Sequence, residues 1–517
     1  MQADPVDEES TMYTYGRRVC ERGRPSLWLM FSLVVLAMLA IPVAPVLAQD
    51  TPADSSETKI VDLSADFGEG YVLNGEEVRR LVGNVHLRQG NTTLTAHEAI
   101  QYVGREEYVF TNNVQIVDEG DTLWAERVVY NSQTKVGKAS TNVRLSDGDV
   151  RLSAPSGDYY VDEKRADFEG GVTMVDSTVT LTSQRGSYWL DEKRAEFYDD
   201  VRLVETTSTL EADSVIYFRD TEVALANGNV FIEHIGGEED DVEPDSTQRI
   251  LLYGAEAYND NRQGFSRITG DPLLVRLVED STSATVDTLL IRAEVLESTR
   301  SDSLERLVAL DNVRIWQGDI AAVADSAISD RYKLADAADS TREEIRLFKA
   351  PTMWYDDLQV FGDTIYATGQ AGSIDSLFVE GSAFVAQPDS ATGRIRQLKG
   401  GNLVGVFEGD TLRTMTVQPN AEVIYFKKNN SGGTDGVQMS GDIVHFFFDG
   451  DQLKQIRWPG ETEGTVYPDG LLPEPFQLDG YRWEPERRPQ KATMLQRAGR
   501  TLPEPQPEPV YTSTVKE

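Results

Sequence analysis

The chain has 517 residues, and 86 acidic residues against 49 basic ones give it a net charge of −37. This charge argues against a nucleic-acid partner, because a nucleic-acid backbone carries the same sign. The single cysteine, Cys20, excludes an internal disulfide and a cluster of thiolate metal ligands.

Residues 1–48 predict a targeting segment. Four arginines between positions 17 and 24 precede an apolar run from Leu27 to Leu47, and Ala48 ends it as the small residue of a cleavage site. The run is also about as long as a membrane span, so a retained anchor is the alternative. Pro42 and Pro45 near its end favour a cleaved signal peptide. Residues 49–59 form a short polar linker.

Residues 60–235 contain a repeat with a period of 29 residues. Six dipeptides recur at this spacing: Asn84-Val85, Asn113-Val114, Asn142-Val143, Gly171-Val172, Asp200-Val201 and Asn229-Val230. A constant period of this length is typical of an elongated array in which each unit packs against the next.

Each unit predicts two long antiparallel strands and two turns. Apolar residues alternate, as in half-buried strands, and Gly, Asn, Asp or Ser residues mark the turns. A small or polar residue interrupts the buried face at Asn112, Thr141, Gly170, Asp199 and Gly228. The alternation also slips at 155–157 and 184–186, which predicts a bend in the middle of the strand.

The fold class is therefore all-β. We predict an elongated antiparallel β-jellyroll, or V-shaped slab, in which the bent strands form two facing sheets. A parallel β-helix fits less well, because its coils repeat at shorter spacing.

Residues 236–517 continue the chain less regularly. Residues 236–249 predict an acidic loop, and residues 250–470 predict a second, degenerate array of the same kind. Within it, Ser326 to Thr341 is predicted as a polar insertion with a short helix. Residues 471–517 are rich in Pro and Glu and are predicted to be mostly disordered.

An apolar stripe facing the interior is the candidate functional feature. One strand of each unit contributes Val85, Leu87, Val114, Ile116, Val143, Leu145, Val172, Met174, Val201, Leu203, Val230 and Ile232. Opposite this stripe we expect Leu94, Leu123, Leu152, Leu181 and Leu210, together with Phe110, Phe168 and Phe197. Ordinary core packing explains any one of these residues. The functional hypothesis is that the sheets separate enough to leave a groove for acyl chains.

Two sets of residues resemble a known family. The segment Arg80-Leu81-Val82-Gly83-Asn84-Val85, followed by repeated Leu-x-Ala units, resembles the OstA-like family of lipopolysaccharide transport, which includes LptA. The segments 398–403, 420–425 and 464–468 resemble the longer OstA-like proteins of the Bacteroidetes type. The resemblance implies a periplasmic β-jellyroll that holds lipopolysaccharide or lipid A acyl chains between its sheets. It also implies envelope transport proteins at the slab ends and allows end-to-end self-stacking.

No pattern for catalysis, cofactor binding or metal binding is found. None of the four histidines stands at metal-ligand spacing from another, and His86 and His234 are predicted to be solvated strand residues. Phosphate-loop, dinucleotide and nucleophile-elbow motifs are missing. We therefore predict a protein that is not an enzyme and has no cofactor. A scaffold or surface-binding β-repeat protein is the alternative function, and a polysaccharide-active enzyme is the weakest hypothesis.

Overall fold

The computed structural model describes residues 61–501, except for 119, 176–178, 207, 236–245, 281–284, 302, 334–340, 371–372, 409–410, 430–431, 451 and 498–499. The predicted targeting segment at 1–48 and the linker at 49–59 lie outside the described residues. Within the described ranges, no helix is long and apolar enough to cross a membrane.

The amino-terminal half consists of long strands joined by tight turns. These strands are β1 (Asp62–Ser64), β2 (Phe67–Leu73), β3 (Glu76–Gln89), β4 (Thr92–Tyr102), β5 (Glu107–Asp118), β6 (Asp121–Asn131), β7 (Val136–Ser146), β8 (Arg151–Tyr160), β9 (Arg165–Val175), β10 (Thr180–Trp189), β11 (Arg194–Val204), β12 (Ser208–Phe218), β13 (Val223–Ile235) and β14 (Ser246–Asp260). From β3 to β14 each strand pairs antiparallel with the next one along the chain.

The carboxy-terminal half contains both long and short strands. These strands are β15 (Phe265–Thr269), β16 (Leu273–Asp280), β17 (Thr285–Arg292), β18 (Val295–Arg300), β19 (Leu304–Gln317), β20 (Ile320–Lys333), β21 (Thr341–Phe348), β22 (Thr352–Tyr355), β23 (Leu358–Phe361), β24 (Thr364–Gln370), β25 (Ser373–Asp389), β26 (Arg394–Glu408), β27 (Thr411–Gln418), β28 (Ala421–Lys428), β29 (Thr434–Gly441), β30 (Val444–Asp449), β31 (Gln452–Arg457) and β32 (Thr462–Tyr467). One antiparallel sheet of 32 strands includes them all. The first array therefore continues directly into the second.

Each long strand bends once in the middle, which divides the sheet into two leaves. Strand β5 pairs Glu107–Thr111 with β6, skips two residues, and then pairs Val114–Asp118 with the other half of β6. We call the layer that contains Glu107–Thr111 leaf A and the layer that contains Val114–Asp118 leaf B. The other long strands break their pairing at the equivalent position, so the corner runs along the whole slab.

The corner has a local backbone cause. Consecutive residues with positive φ occupy it in every second strand of the first array: Gly83-Asn84, Asn112-Asn113, Thr141-Asn142, Gly170-Gly171, Asp199-Asp200 and Gly228-Asn229. Gly, Asn and Asp accept the left-handed region at low cost, whereas most other residues avoid it. The predicted corner is confirmed at Asn112, Thr141, Gly170, Asp199 and Gly228.

In the second array, several strands stay within one leaf. The leaf A half of β14 pairs with β15, whereas its leaf B half pairs with β16. Strands β16 and β17 then form a hairpin in leaf B before β19 again spans both leaves. The array looks degenerate in sequence because one long strand is replaced by two short ones.

Part of the predicted polar insertion is instead a strand. Residues 326–333 complete β20 in leaf A, and Ala327 is buried in the interior. The segment looks polar because its outer face carries Asp330, which pairs with Arg306 on β19. Residues 334–340 lie outside the described part of the chain.

Residues 471–497 of the predicted disordered tail follow a defined path, whereas residues 502–517 lie outside the described residues. Residues 468–496 cross the outer face of leaf B and include the short helix α1 (Lys491–Met494). Met494 and Leu495 are buried against Leu273, Leu277 and Leu290. We call residues 468–496 the strap. It is ordered because the outer face of leaf B is apolar here and needs a cover, which the Pro and Glu content of the strap does not reveal.

Candidate functional site

The predicted groove residues all lie in the interior between the leaves. Each of the twenty belongs to one hydrophobic cluster, with exposed fractions between 0% at Phe110 and 4% at Ile116 and Ile232. Their burial follows from the strand alternation, since every second side chain points between the leaves. Contact of these residues with lipid stays a prediction.

The arrangement of these residues differs from the prediction in one respect. The five repeated leucines do not face the Val and Ile stripe but lie beside it in leaf B, where Leu94 pairs with Leu87 and Leu152 pairs with Leu145. They share a leaf because the chain turns the corner only after the Leu-x-Ala segment. Each leucine therefore lies in leaf B, on the strand that forms a hairpin with a strand of the stripe. Phe110, Phe168 and Phe197 do lie in the opposite leaf.

Leaf A contributes interior residues that the sequence analysis did not select. These residues also recur at the 29-residue spacing, and this spacing could have identified them from the sequence. They include Val128, Tyr130, Ala139, Tyr159, Ala166, Tyr188, Ala195, Val215 and Tyr217.

Glycines make room for the aromatic rings of leaf A. A Cβ atom at Gly157 would lie 3.1 Å from the ring of Phe168, and one at Gly186 would lie 3.1 Å from the ring of Phe197. Each ring therefore lies over the neighbouring strand instead of projecting across the interior.

Polar contacts join the leaves at the edge opposite the corner, which we call the mouth. The phenol of Tyr159 in leaf A donates a hydrogen bond of 3.0 Å to Asp118 in leaf B, 41 residues earlier. The phenol of Tyr188 donates one of 2.8 Å to Asp147, again 41 residues earlier. Tyr130 makes the equivalent bond to Gln89. Each tyrosine lies at the end of a leaf A half-strand, and each acceptor lies at the end of a leaf B half-strand.

The contact at Asp147 includes a buried cation. The guanidinium of Arg219 binds the Asp147 carboxylate and also donates to the Tyr188 oxygen at 2.8 Å. Burial alone would raise the pKa of Asp147, but the Val150 amide, Arg219 and Tyr188 together lower it below its ordinary value. Asp147 therefore stays ionised and accepts both bonds at neutral pH.

Burial keeps the tyrosines of the mouth protonated. It raises the pKa of Tyr130 to about 12. Burial and the adjacent Asp118 carboxylate raise the pKa of Tyr159 further, and burial with Asp147 does the same for Tyr188. All three phenols are thus hydrogen-bond donors over the physiological range.

The same row of leaf B positions includes Glu205 and His234, which follow Asp147 by two and three periods of 29 residues. Burial raises the pKa of Glu205, and Ser208 donates a 2.8 Å hydrogen bond to it. His234 is 6% exposed, and burial lowers its pKa. The prediction of a solvated histidine is wrong for His234, because its position shares the inward parity of Val230 and Ile232.

The interior near the first tyrosine of the mouth is closely packed. A cavity of about 10 Å³ lies between the leaves near Leu87, Leu94, Ile116 and Tyr130, which is room for about one water molecule. A hydrocarbon chain therefore enters at this point only if the leaves move apart. Among the described residues, no group of three or more His, Cys, Asp or Glu is placed to hold a metal ion.

These features define a class of protein, a two-leaved antiparallel β-jellyroll slab with one continuous apolar interior. Residues 57–213 match the model of a family described as OstA-like protein. The chain therefore contains an OstA-like domain at these residues.

Two relatives with assigned names are similar to parts of the chain. The LPS-assembly protein LptD of Nitrosomonas europaea is 29% identical over 112 residues, which cover 22% of this chain and 15% of that protein. The matched region is thus a small part of that relative. Among solved structures, LptH of Pseudomonas aeruginosa, titled the LptA homologous periplasmic component of the conserved lipopolysaccharide transport device, is 12% identical with a TM-score of 0.15. That match covers 28% of this chain and 94% of LptH.

Proposed function

We propose that the protein carries acyl chains of lipopolysaccharide or lipid A between its leaves, as a periplasmic transport protein of the OstA type. The observation that carries this proposal is the continuity of the interior. One hydrophobic cluster extends from Val85 on β3 to Phe446 on β30. Two comparisons support the assignment: the OstA-like match at residues 57–213 and a relative named for lipopolysaccharide assembly.

The energetics of such an interior suit transport. An acyl chain leaving water gains about 25 cal/mol for each Å² of apolar surface that it buries. Inside the slab the chain replaces leaf-to-leaf contacts with contacts of the same chemical kind. Because equivalent residues recur every 29 positions, a chain that slides by one unit meets nearly the same surface. No single side chain is indispensable in this design, which favours passage of a lipid over its chemical conversion.

The ends of the slab are the proposed docking sites for other envelope proteins. Val72 on β2 is 72% exposed opposite Glu77, which shares the inward parity of Leu81, and Val466 on β32 is 63% exposed opposite the buried Val437. Residues directly opposite on neighbouring strands face the same side of a sheet. The inward surface is therefore uncovered at both terminal strands.

A second copy of the chain fits these ends. Both leaves contain the same, even number of strands among the described residues, so the first and last strands of each leaf run in opposite directions. A copy placed after β31 and β32 would thus continue both ladders antiparallel through its own β2 and β1. Light scattering tests this: we expect concentration-dependent oligomers that Val466→Asp weakens. If the protein is a monomer at all concentrations, self-stacking is rejected and the ends are docking sites for a different protein.

Photo-crosslinking tests lipid carriage without placing a charge in the core. Benzoylphenylalanine replaces Phe168 or Phe197 in the interior, and the matched control replaces Tyr160 on the outer face. After incubation with lipid A, we expect crosslinked lipid at the two interior positions and little at position 160. Equal crosslinking at all three positions, or none at any, would remove the lipid-carrier function. The scaffold alternative predicts the second of these outcomes.

A further inference from the structure

The cross-leaf tyrosine bonds form a regular row along the mouth. They join β6 to β3, β8 to β5 and β10 to β7, so each bond lies two strands beyond the previous one in both leaves. The bonded groups are Tyr130, Tyr159 and Tyr188 on one side and Gln89, Asp118 and Asp147 on the other. A single such bond is common in protein interiors. A row of them along one edge limits how far the two leaves can separate there.

Among the described residues, the mouth has no covalent or backbone closure of its own. At the corner the chain itself passes between the leaves through paired strands, but at the mouth the strands of each leaf end in separate turns. The turns of leaf A carry exposed ion pairs such as Lys135 with Asp162 and Lys164 with Asp191, which link residues within that leaf. The tyrosine bonds therefore join parts of the slab that the sheet pairing leaves unconnected at this edge.

Arg219 strengthens the third of these bonds. It approaches Asp147 from the turn after β12, and both side chains are largely buried at 13% and 14% exposure. A carboxylate that accepts from a phenol and a guanidinium at once holds three elements together. Of the three bonds, this one is expected to open last.

We propose that the row Tyr130–Gln89, Tyr159–Asp118 and Tyr188–Asp147–Arg219 is a latch that holds the two leaves shut at the mouth. The bonds act in parallel along one edge, so the loss of one frees the edge at its own position while its neighbours hold the rest. Across these three bonds the mouth then opens progressively, beginning at Gln89 and finishing at Arg219. The latch itself is independent of the proposed function, but the statement that its opening admits an acyl chain rests on that function.

A distance measurement across the mouth tests the latch. Nitroxide labels on Asn91→Cys at a leaf B turn and Gln133→Cys at a leaf A turn report the separation near the first bond, in a chain that also carries Cys20→Ser. The test variant replaces Tyr130, Tyr159 and Tyr188 with Phe, which keeps the rings and removes the donors. The matched control replaces the outer-face tyrosines Tyr102, Tyr160 and Tyr198 with Phe.

We expect a longer and broader label distance in the test variant, and a distance like that of the parent in the control. An unchanged distance in the test variant overturns the latch. Should the triple variant not fold, Gln89→Met removes only the first acceptor next to the labels, and an unchanged distance there has the same consequence. Uptake of a fluorescent fatty acid, measured on the same proteins, is expected to be several-fold faster in the test variant. A wider mouth without fatty-acid binding supports the latch and rejects the lipid function.

Discussion

Arg306 on β19 holds the carboxylate of Asp330 on β20 with two hydrogen bonds of 2.6 and 2.8 Å, and Asp330 is only 1% exposed. Arg306 lowers the pKa of Asp330 by bonding its charged form. The pair therefore places a buried charge in β20, in the segment that the sequence predicts to be a polar insertion.

Removal of the arginine should destabilise the second array. Arg306→Met leaves the Asp330 carboxylate buried without its strongest partner, which we expect to cost about 1–3 kcal/mol in the free energy of unfolding. Urea denaturation followed by circular dichroism measures it. The control Arg127→Met removes an exposed arginine and should change stability by less than about 0.5 kcal/mol. Equal effects would mean that the pair contributes nothing specific.

A corner glycine should not tolerate a side chain. Gly270 has φ +77°, and a Cβ atom there would lie 2.3 Å from the Cβ of Ala255. Because both atoms are attached to backbone, Gly270→Ala must shift the corner, at an expected cost of about 1–3 kcal/mol. Gly104→Ala is the control, since its new Cβ would have only Glu76 Oε1 nearby, at 3.9 Å. A melting temperature of the Gly270 variant as high as that of the control would contradict this role of the corner.

The contribution of Asp147 should depend on pH in the acid range. Its pKa is lowered in the folded protein, so its charged form stabilises the fold above the unfolded pKa of about 3.9, and this contribution is lost as the pH falls through the folded pKa. Asp147→Asn should therefore be less stable than the parent at pH 7, and the difference should shrink below about pH 4. Urea unfolding at a series of pH values measures this.

An exposed carboxylate provides the comparison for that series. Asp191 in a leaf A turn is 73% exposed and pairs with Lys164 at 3.6 Å. Asp191→Asn should show little difference from the parent at any pH, because solvent screens such a pair. A gap for Asp147→Asn that stays constant down to pH 2 would show that the charge of Asp147 does not stabilise the mouth.

The strap should be required for a stable second array. Met494 is 1% exposed against the outer face of leaf B, and Arg292 donates a 2.7 Å hydrogen bond to the carbonyl of Gln496 beside it. Met494→Asp places a charge in this contact and should release the end of the strap, with a loss of about 2–4 kcal/mol. Thr493→Asp changes an exposed neighbour and should have little effect. Hydrogen exchange of β16 and β17 measures the release, and unchanged protection would show that the strap does not cover them.

Local sequence determines much of the structure of the first array. The 29-residue period, the inward parity and the corner at residues such as Asn112 and Gly170 depend on strand alternation and on which residues accept positive φ. These are properties of neighbouring residues, so they can be read without knowing which strands face each other. The interior position of all twenty candidate residues follows from the same rule.

The tertiary structure decided which leaf each residue joins and what crosses the gap. Leu94 lies beside Leu87 and not opposite it, because the position of the bend assigns both to leaf B. Tyr159 meets Asp118 because the twist and bend of the slab bring together strand ends 41 residues apart, a distance unrelated to the 29-residue period. The strap docks because leaf B has a second apolar face, which only the assembled sheet shows. Local alternation fixes the side to which a residue points, and the packing of whole leaves fixes what it meets there.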